Sequence, residues 1–455
     1  MAVARPVWVH MVGVAGAGMS GIARVLNEEG YRVSGSDLQS NSTTEKLIES
    51  GVEVFHGHSS AHVQEGVQRL IVSSAIPADN PELIAARRRN IPVWTRGQAL
   101  ADLVNRRQGI AVAGAHGKTT TTSMIYMCLA YNGFDPTFIV GGELQGSRLN
   151  ACLGRGSYAV VEADESDASF LELNPFVAVI TNVEDDHLDY YKSVENIRNA
   201  FQQYINQVNP NGFALLYGED EYNQIIKSVV ATRVITYGQN TSNDYYFTNW
   251  QPRGMGSTCQ IFRHGAVIGT LELSVPGQHN ALNALAAVAV NLELGGRWED
   301  AQRAIKDFQG AGRRFEIIGH RSGYTVIDDY AHHPTEIRVT IEAARKVHPG
   351  RIIVVFQPHR YSRTQLLGEK LGESLQQADL AVITDVYSAG EKPIEGISGR
   401  MVFQAAGRTG CDTVYIPAFS DIKQYLGETA REGDMIITMG AGDVWKIGRE
   451  LIENR

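Results

Sequence analysis

One stretch constrains this chain more than any other: Gly114-Ala115-His116-Gly117-Lys118-Thr119-Thr120, set directly after the apolar run 110–113. A glycine-rich turn between a strand and a helix presents backbone N–H groups to phosphates. Its lysine reaches the β- and γ-phosphates, and its threonine hydroxyl suits a magnesium ion. Such a turn needs a largely parallel sheet with its ligands at the carboxyl ends of the strands. The strict pattern asks for glycine where Val112 stands, so the loop is a shorter GxxGKT variant.

The rest of the chain reads in the same terms. Apolar, mostly β-branched runs recur at 7–14, 70–75, 110–113, 159–161, 177–181, 213–217, 352–356, 380–386 and 435–439. Continuous apolar strands of this kind belong to parallel sheets covered on both faces. Helical stretches such as 280–294 and 364–377 lie between them, which predicts a doubly wound α/β architecture. A length of 455 residues suggests about three domains. The expected divisions are a Rossmann-like domain at 1–107, a central phosphate-loop domain at 108–312 and a second Rossmann-like α/β domain at 313–455. The polar segment 237–256 and the alternating stretch 259–275 read as an antiparallel decoration of the central domain.

Composition excludes several classes. A net charge of −9 carries none of the basic footprint of a nucleic-acid binder. Cys128, Cys152, Cys259 and Cys411 lie far apart with no CxxC pair, which fits a reducing compartment rather than a disulfide framework or zinc site. The weakly charged stretch 6–23 is interrupted by glycines and reads better as strand, turn and helix than as a signal peptide or membrane segment. A cytoplasmic protein without membrane insertion is expected.

Other stretches carry chemistry. Gly16-Ala17-Gly18-Met19-Ser20-Gly21 follows the first strand and opens a helix, with Asp37 ending the next strand about where a ribose-binding carboxylate belongs. The turn suits a pyrophosphate, from NAD or from a UDP-linked substrate, although a packing turn has the same pattern; Ser73 and Ser74 offer hydroxyls nearby. Acids follow two strands, in Glu162-Ala-Asp164-Glu165-Ser-Asp167 and Glu184-Asp-Asp-His187-Leu-Asp189. They suit magnesium better than a solvated loop does, with His187 an unusual ligand. Gly277-Gln-His279-Asn280 faces a nucleotide or merely caps a helix. In the last third, Arg313-Arg314 precedes Asp328-Asp-Tyr330-Ala-His332-His-Pro-Thr-Glu336, and His359-Arg360-Tyr-Ser-Arg363 follows a strand. Two arginines so spaced hold a carboxylate, unless they are a solvated pair. There is no kinase-type catalytic loop and no Ser-His-Asp constellation. Activation of a carboxylate as an acyl phosphate, then attack by an amine, joins these parts most simply.

Gly114-Ala-His-Gly-Lys118-Thr-Thr, Asn280-Ala-Leu-Asn283-Ala, Glu162 and His187 resemble the Mur ligase family, which builds the peptide stem of the bacterial cell wall. The turn 16–21, Ser34-Gly-Ser-Asp37, and the stretches 162–167, 328–336 and 357–364 resemble its alanine-adding branch, and the likeness runs through essentially the whole chain. The resemblance implies a UDP-substrate domain, an ATPase domain and an amino-acid domain. It implies ATP-dependent ligation of L-alanine to the lactyl carboxylate of UDP-N-acetylmuramate through an acyl phosphate, with two Mg²⁺ ions, in a monomer or homodimer. By the same resemblance, Gly114, His116, Gly117, Lys118, Thr119, Thr120, His279, Asn280, Arg313 and Asp328 bind ATP. Gly16, Gly18, Met19, Ser20, Asp37, Ser73 and Ser74 bind the UDP-substrate. Thr119 and Glu162 hold one magnesium and His187 the second. Tyr330, His332, His359, Arg360 and Arg363 surround the alanine, and Lys118, His187, His332 and Arg360 carry the catalysis. Relatives acting later carry a carbamylated lysine near the position of Phe201; this chain has no lysine between Lys192 and Lys227, as expected of the alanine-adding branch. Ala331 replaces a common glycine. A recycling ligase that attaches a tripeptide shares the ATP motifs. An NAD-dependent dehydrogenase leaves the GKT loop unexplained, and a nucleotide-switched binding module predicts binding without product.

Overall fold

The computed structural model describes residues 6–147, 149–184 and 188–453. Its strands gather into three sheets. The first is wholly parallel, in the order Glu53–His56, Arg32–Asp37, Trp8–Val12, Arg69–Val72, Val93–Thr95. Every residue of Trp8–Val12 is buried, as a central strand covered on both faces requires. The expected run 7–14 ends early because Gly13 adopts φ +80°, and the N–H groups of Gly13 and Val14 both turn to the Ser36 carbonyl. The helix Ala17–Glu28 then packs Met19, Ile22, Ala23, Val25 and Leu26 inward.

Among the described residues the second sheet has ten strands, which lie side by side in the order Ala266–Leu273, Gly256–Arg263, Tyr245–Arg253, Val234–Gly238, Phe213–Tyr217, Val177–Ile180, Gln108–Ala113, Tyr158–Glu162, Thr137–Leu144, Leu149–Cys152. From Val234–Gly238 to Thr137–Leu144 neighbouring strands run parallel. The edge strand Leu149–Cys152 is antiparallel. The phosphate-loop strand is flanked by the two strands that end in acidic stretches. Adjacent strand ends therefore deliver the loop and the carboxylates together.

The third sheet runs Glu316–Arg321, Tyr324–Asp329, Met435–Met439, Ile352–Phe356, Leu380–Ile383, Asp412–Tyr415, antiparallel only at the first pair. Its central strands Ile352–Phe356 and Met435–Met439 are entirely buried. The three-domain α/β class is as expected. By compactness the chain forms two units: 1–248 with 260–271 and 282–308, and 249–259 with 272–281 and 309–455. Among the described residues no helix is long and apolar enough to cross a membrane.

Candidate active site

The first unit holds the phosphate loop between Gln108–Ala113 and the helix Lys118–Tyr131. Its geometry depends on glycine at two places. Gly114 has φ +129°, and a Cβ there would lie 2.2 Å from Thr181 Oγ1; Gly117 has φ +82°, and its Cβ would lie 2.8 Å from Asn283 Oδ1. Left-handed backbone with no room for a side chain admits little else. Asn182, just beyond the strand Val177–Ile180, braces the loop: its carbonyl accepts from Ala115 N (3.1 Å) and its Oδ1 from His116 N (2.9 Å). Thr181 Oγ1 donates to the His116 carbonyl at 2.6 Å, and His116 Nε2 lies 3.3 Å from Glu184 Oε2.

Lys118 points back over the loop. Its Nζ donates to the Gly114 carbonyl (2.6 Å) and to Glu165 Oε1 (2.7 Å). Burial works against its charge, but Glu165, Glu162 and Asp164 outweigh burial and hold the ammonium above its ordinary pKa. Thr119 Oγ1 donates toward both Glu162 oxygens, at 3.2 and 3.1 Å, and Gly141 N donates to the same carboxylate at 3.2 Å. A hydroxyl facing a carboxylate at a strand end is a hard-oxygen set of the kind magnesium takes. His187, expected as the ligand of a second ion, lies outside the described residues.

At the other glycine turn Asp37 Oδ2 accepts from Ala15 N at 2.9 Å, and Ser73 N donates to the Val12 carbonyl. Met19 is core and can offer a ligand only its backbone N–H. Ser20 is committed to the fold, its hydroxyl donating to the Ala17 carbonyl at 3.0 Å and accepting from Asn150 Nδ2 at 3.1 Å, and its N–H donating to the Gly16 carbonyl. Ser74 is exposed.

The second unit brings Tyr330, His332 and His359 together. The Tyr330 and His332 rings are 5.4 Å apart, and those of His332 and His359 5.9 Å, both edge-on. Arg313 and Arg314 lie over the Tyr330 ring at 5.0 and 5.2 Å. Arg313 Nε donates to Asp328 Oδ2 at 2.8 Å and its other nitrogens to the Gly440 and Gly442 carbonyls. Asp328 is buried and also accepts from Thr438 Oγ1 at 2.7 Å. Burial lowers the His332 pKa to about 4 against the pull of Glu336. Burial, with His332, Arg363, Arg360 and Arg313, lowers that of His359 to about 3. Both rings are therefore neutral at neutral pH. Burial likewise raises Asp329 to about 6. Arg360 has φ +67° and caps the helix Tyr361–Glu373, leaving its side chain exposed, with Arg363 one turn on. In this unit His279 is half-buried, and desolvation, with Arg314 and Lys346, lowers its pKa to about 4. Asn280 does not cap its helix: it sits inside the first turn and donates to the Pro276 carbonyl at 2.7 Å.

Sequence reasoning missed Glu165 as the partner of Lys118, Asn182 as the brace of the loop, and Arg96. Glu165 is marked only as one acid of the stretch 162–167, and no motif marks Asn182 or Arg96, whose Nη2 donates to Asp164 Oδ2 at 2.8 Å; each is identified by what faces it. Phe201 packs edge-on against Phe170, ring centroids 5.2 Å apart, in the core.

Comparison with known proteins gives a consistent picture. Family models match over residues 8–108 (Mur ligase family, catalytic domain), 112–291 (Mur ligase middle domain) and 313–442 (Mur ligase, glutamate ligase domain). A UDP-N-acetylmuramate–L-alanine ligase of Syntrophomonas wolfei is 62% identical over 98% of this chain and 97% of its own. The crystal structure of the UDP-N-acetylmuramate-alanine ligase from Thermotoga maritima superposes with a TM-score of 0.85 at 30% identity, covering 98% of each chain. A murein peptide ligase from Psychrobacter arcticus, also covered to 98% on each side, gives 0.73 at 25% identity.

Proposed function

The chain belongs to the Mur ligase family, and on that premise we infer that it ligates L-alanine to the lactyl carboxylate of UDP-N-acetylmuramate. ATP is consumed, and the products are UDP-N-acetylmuramoyl-L-alanine, ADP and phosphate, a step of peptidoglycan precursor synthesis. The observation that carries the reaction class is the juxtaposition of Lys118 with Glu165 and of Thr119 with Glu162 at adjacent strand ends. The substrate reading is supported by the full-length likeness to alanine ligases, one of them 62% identical. The murein peptide ligase is a weaker structural match.

In this reading the muramate carboxylate attacks the γ-phosphorus of ATP, ADP leaves, and the alanine amine attacks the acyl phosphate to release phosphate. Lys118 turns from Glu165 toward the β- and γ-phosphates, with the loop N–H groups and Thr120 beside it. Thr119 and Glu162 would hold one magnesium ion, and the family resemblance assigns a second to His187. Magnesium held there would offset the negative charge of the phosphates. The turn 16–21 with Asp37 and Ser73 receives the UDP moiety. The family resemblance assigns His279, Asn280, Arg313 and Asp328 to ATP. Arg360 and Arg363 take the alanine carboxylate, and neutral His332 and His359 border the amine without repelling its protonated form. ATP binds first. The domains divide near 107 and 312, and the enzyme is cytoplasmic, a monomer or homodimer.

The test is ADP release from ATP, Mg²⁺ and UDP-N-acetylmuramate, with and without L-alanine. Release that needs both substrates, with a product heavier by one alanine residue, is expected; turnover with the tripeptide alone would reassign the substrate. Lys118→Ala is expected to abolish release, and near-wild-type release would refute the role of the loop.

A further inference from the structure

Arg96, the first residue of the helix Arg96–Asn105, uses its donors unevenly. Its Nη2 donates to Asp164 Oδ2 at 2.8 Å and to Ser169 Oγ at 3.3 Å, with Asp167 Oδ2 3.6 Å away. Its Nη1 and Nε have no hydrogen-bond partner among the described residues. They lie beside Gly18: a Cβ on that glycine would stand 3.2 Å from Arg96 Cδ, 3.4 Å from Nη1 and 3.9 Å from Nε. A cation held at one end, with idle donors at the other, is oriented toward an anion that the protein does not itself supply.

The glycine turn beside it has the same need. The first helical bond there runs from Ser20 N to the Gly16 carbonyl, so the N–H groups of Ala17, Gly18 and Met19 precede the ladder. Gly16 provides no side-chain cap, and the first turn carries no acid. The helix dipole adds to the attraction for negative charge. Only 16% of the Arg96 side chain is exposed, so its charge is poorly screened by solvent.

We propose that Arg96 is a pyrophosphate-binding residue of the sugar-nucleotide site, aimed at the turn by its ion pair with Asp164. This rests on the functional reading above, which places a UDP moiety at that turn. The anchor has a second effect: Asp164 lies in the same stretch as Glu162 and Glu165, so the arginine ties the sugar-nucleotide turn to the acids around Thr119 and Lys118.

Calorimetric titration of the full chain with UDP, alongside KM for UDP-N-acetylmuramate and for ATP, tests the proposal on Arg96→Ala and Arg96→Lys. Charge-assisted hydrogen bonds to phosphate imply a loss of UDP affinity of about tenfold or more in the alanine variant. The lysine variant, which keeps the charge, should recover part of it. KM for the sugar nucleotide should rise in parallel, with KM for ATP moving by less than about threefold. UDP affinity within about twofold of wild type in a folded Arg96→Lys and Arg96→Ala would overturn the proposal. So would equal losses for UDP and ATP, the mark of a purely structural arginine. Wild-type protein that binds no UDP at all would instead refute the functional reading.

Discussion

Lys118 shows what a reactive cation does inside a fold before its substrate arrives. Only 16% of its side chain and 5% of that of Glu165 are exposed, so each charge depends on the other. Removing one member of a buried pair strands the other, typically at about 3–5 kcal/mol. Glu165→Gln is therefore expected to destabilise the nucleotide-free protein strongly in urea. Added ADP, whose phosphates restore negative charge beside Lys118, should narrow the difference from wild type. A deficit that ADP leaves unchanged would mean that Glu165 serves something other than Lys118. The raised pKa of the lysine follows the same logic: its contribution is complete below the ordinary lysine range and is lost only as pH rises through the higher folded value. The lysine should therefore contribute no pH dependence near neutrality.

At the scale of elements, the helix Pro81–Arg88 brings a carboxylate into the first sheet. Asn80 caps it, accepting from Glu82 N and Leu83 N at 2.9 and 3.4 Å, and Pro81 fits the first helical position. Glu82 is fully buried, where it accepts from Ser36 Oγ (2.6 Å) and Ser59 N (3.0 Å) and meets His62 Nδ1 at 2.7 Å and His10 Nε2 at 3.4 Å. Burial alone would raise its pKa; the bonds from His10, Ser36, Ser59 and His62 outweigh burial and lower it to about 2. The folded value lies below the unfolded one, so the stabilisation is complete above about pH 4.5 and is lost as pH falls toward about 2. The stability advantage of wild type over Glu82→Gln should shrink as pH is lowered through that window, read from denaturant midpoints. An advantage constant from pH about 5 to about 3 would contradict the network. The Ser36 carbonyl also holds Gly13 N and Val14 N, so this helix supports the entry to the glycine turn.

At the scale of the whole molecule, three sheets distributed over two compact units predict unfolding that is not two-state. Scanning calorimetry should resolve more than one transition. ADP should raise the one belonging to the unit that carries Lys118, by about 2.7 kcal/mol at a hundredfold excess over Kd. A single transition insensitive to ADP would contradict both the division and the nucleotide site.

What the sequence determined alone is whatever rests on local pattern. Continuous apolar runs announced the buried strands, Ile352–Phe356 and Met435–Met439 to the residue. The spacing of Gly114, Gly117, Lys118 and Thr119 announced a phosphate loop, because backbone sterics and helix geometry act over a few neighbouring residues. Short edge strands such as Val93–Thr95 and Glu53–His56 were not legible, since a few residues give too little periodicity and the sheet decides their pairing. Nor were the inward turns of Met19 and Ser20, the bracing of the loop by Asn182, or the partners of Lys118, Glu82 and Arg96. Those depend on which strand lies beside which: Glu165 reaches Lys118 from 47 residues away, and Arg96 reaches Asp164 from 68. Charge pairing at such separations has no signature along the chain, and only the packed sheets bring it into being.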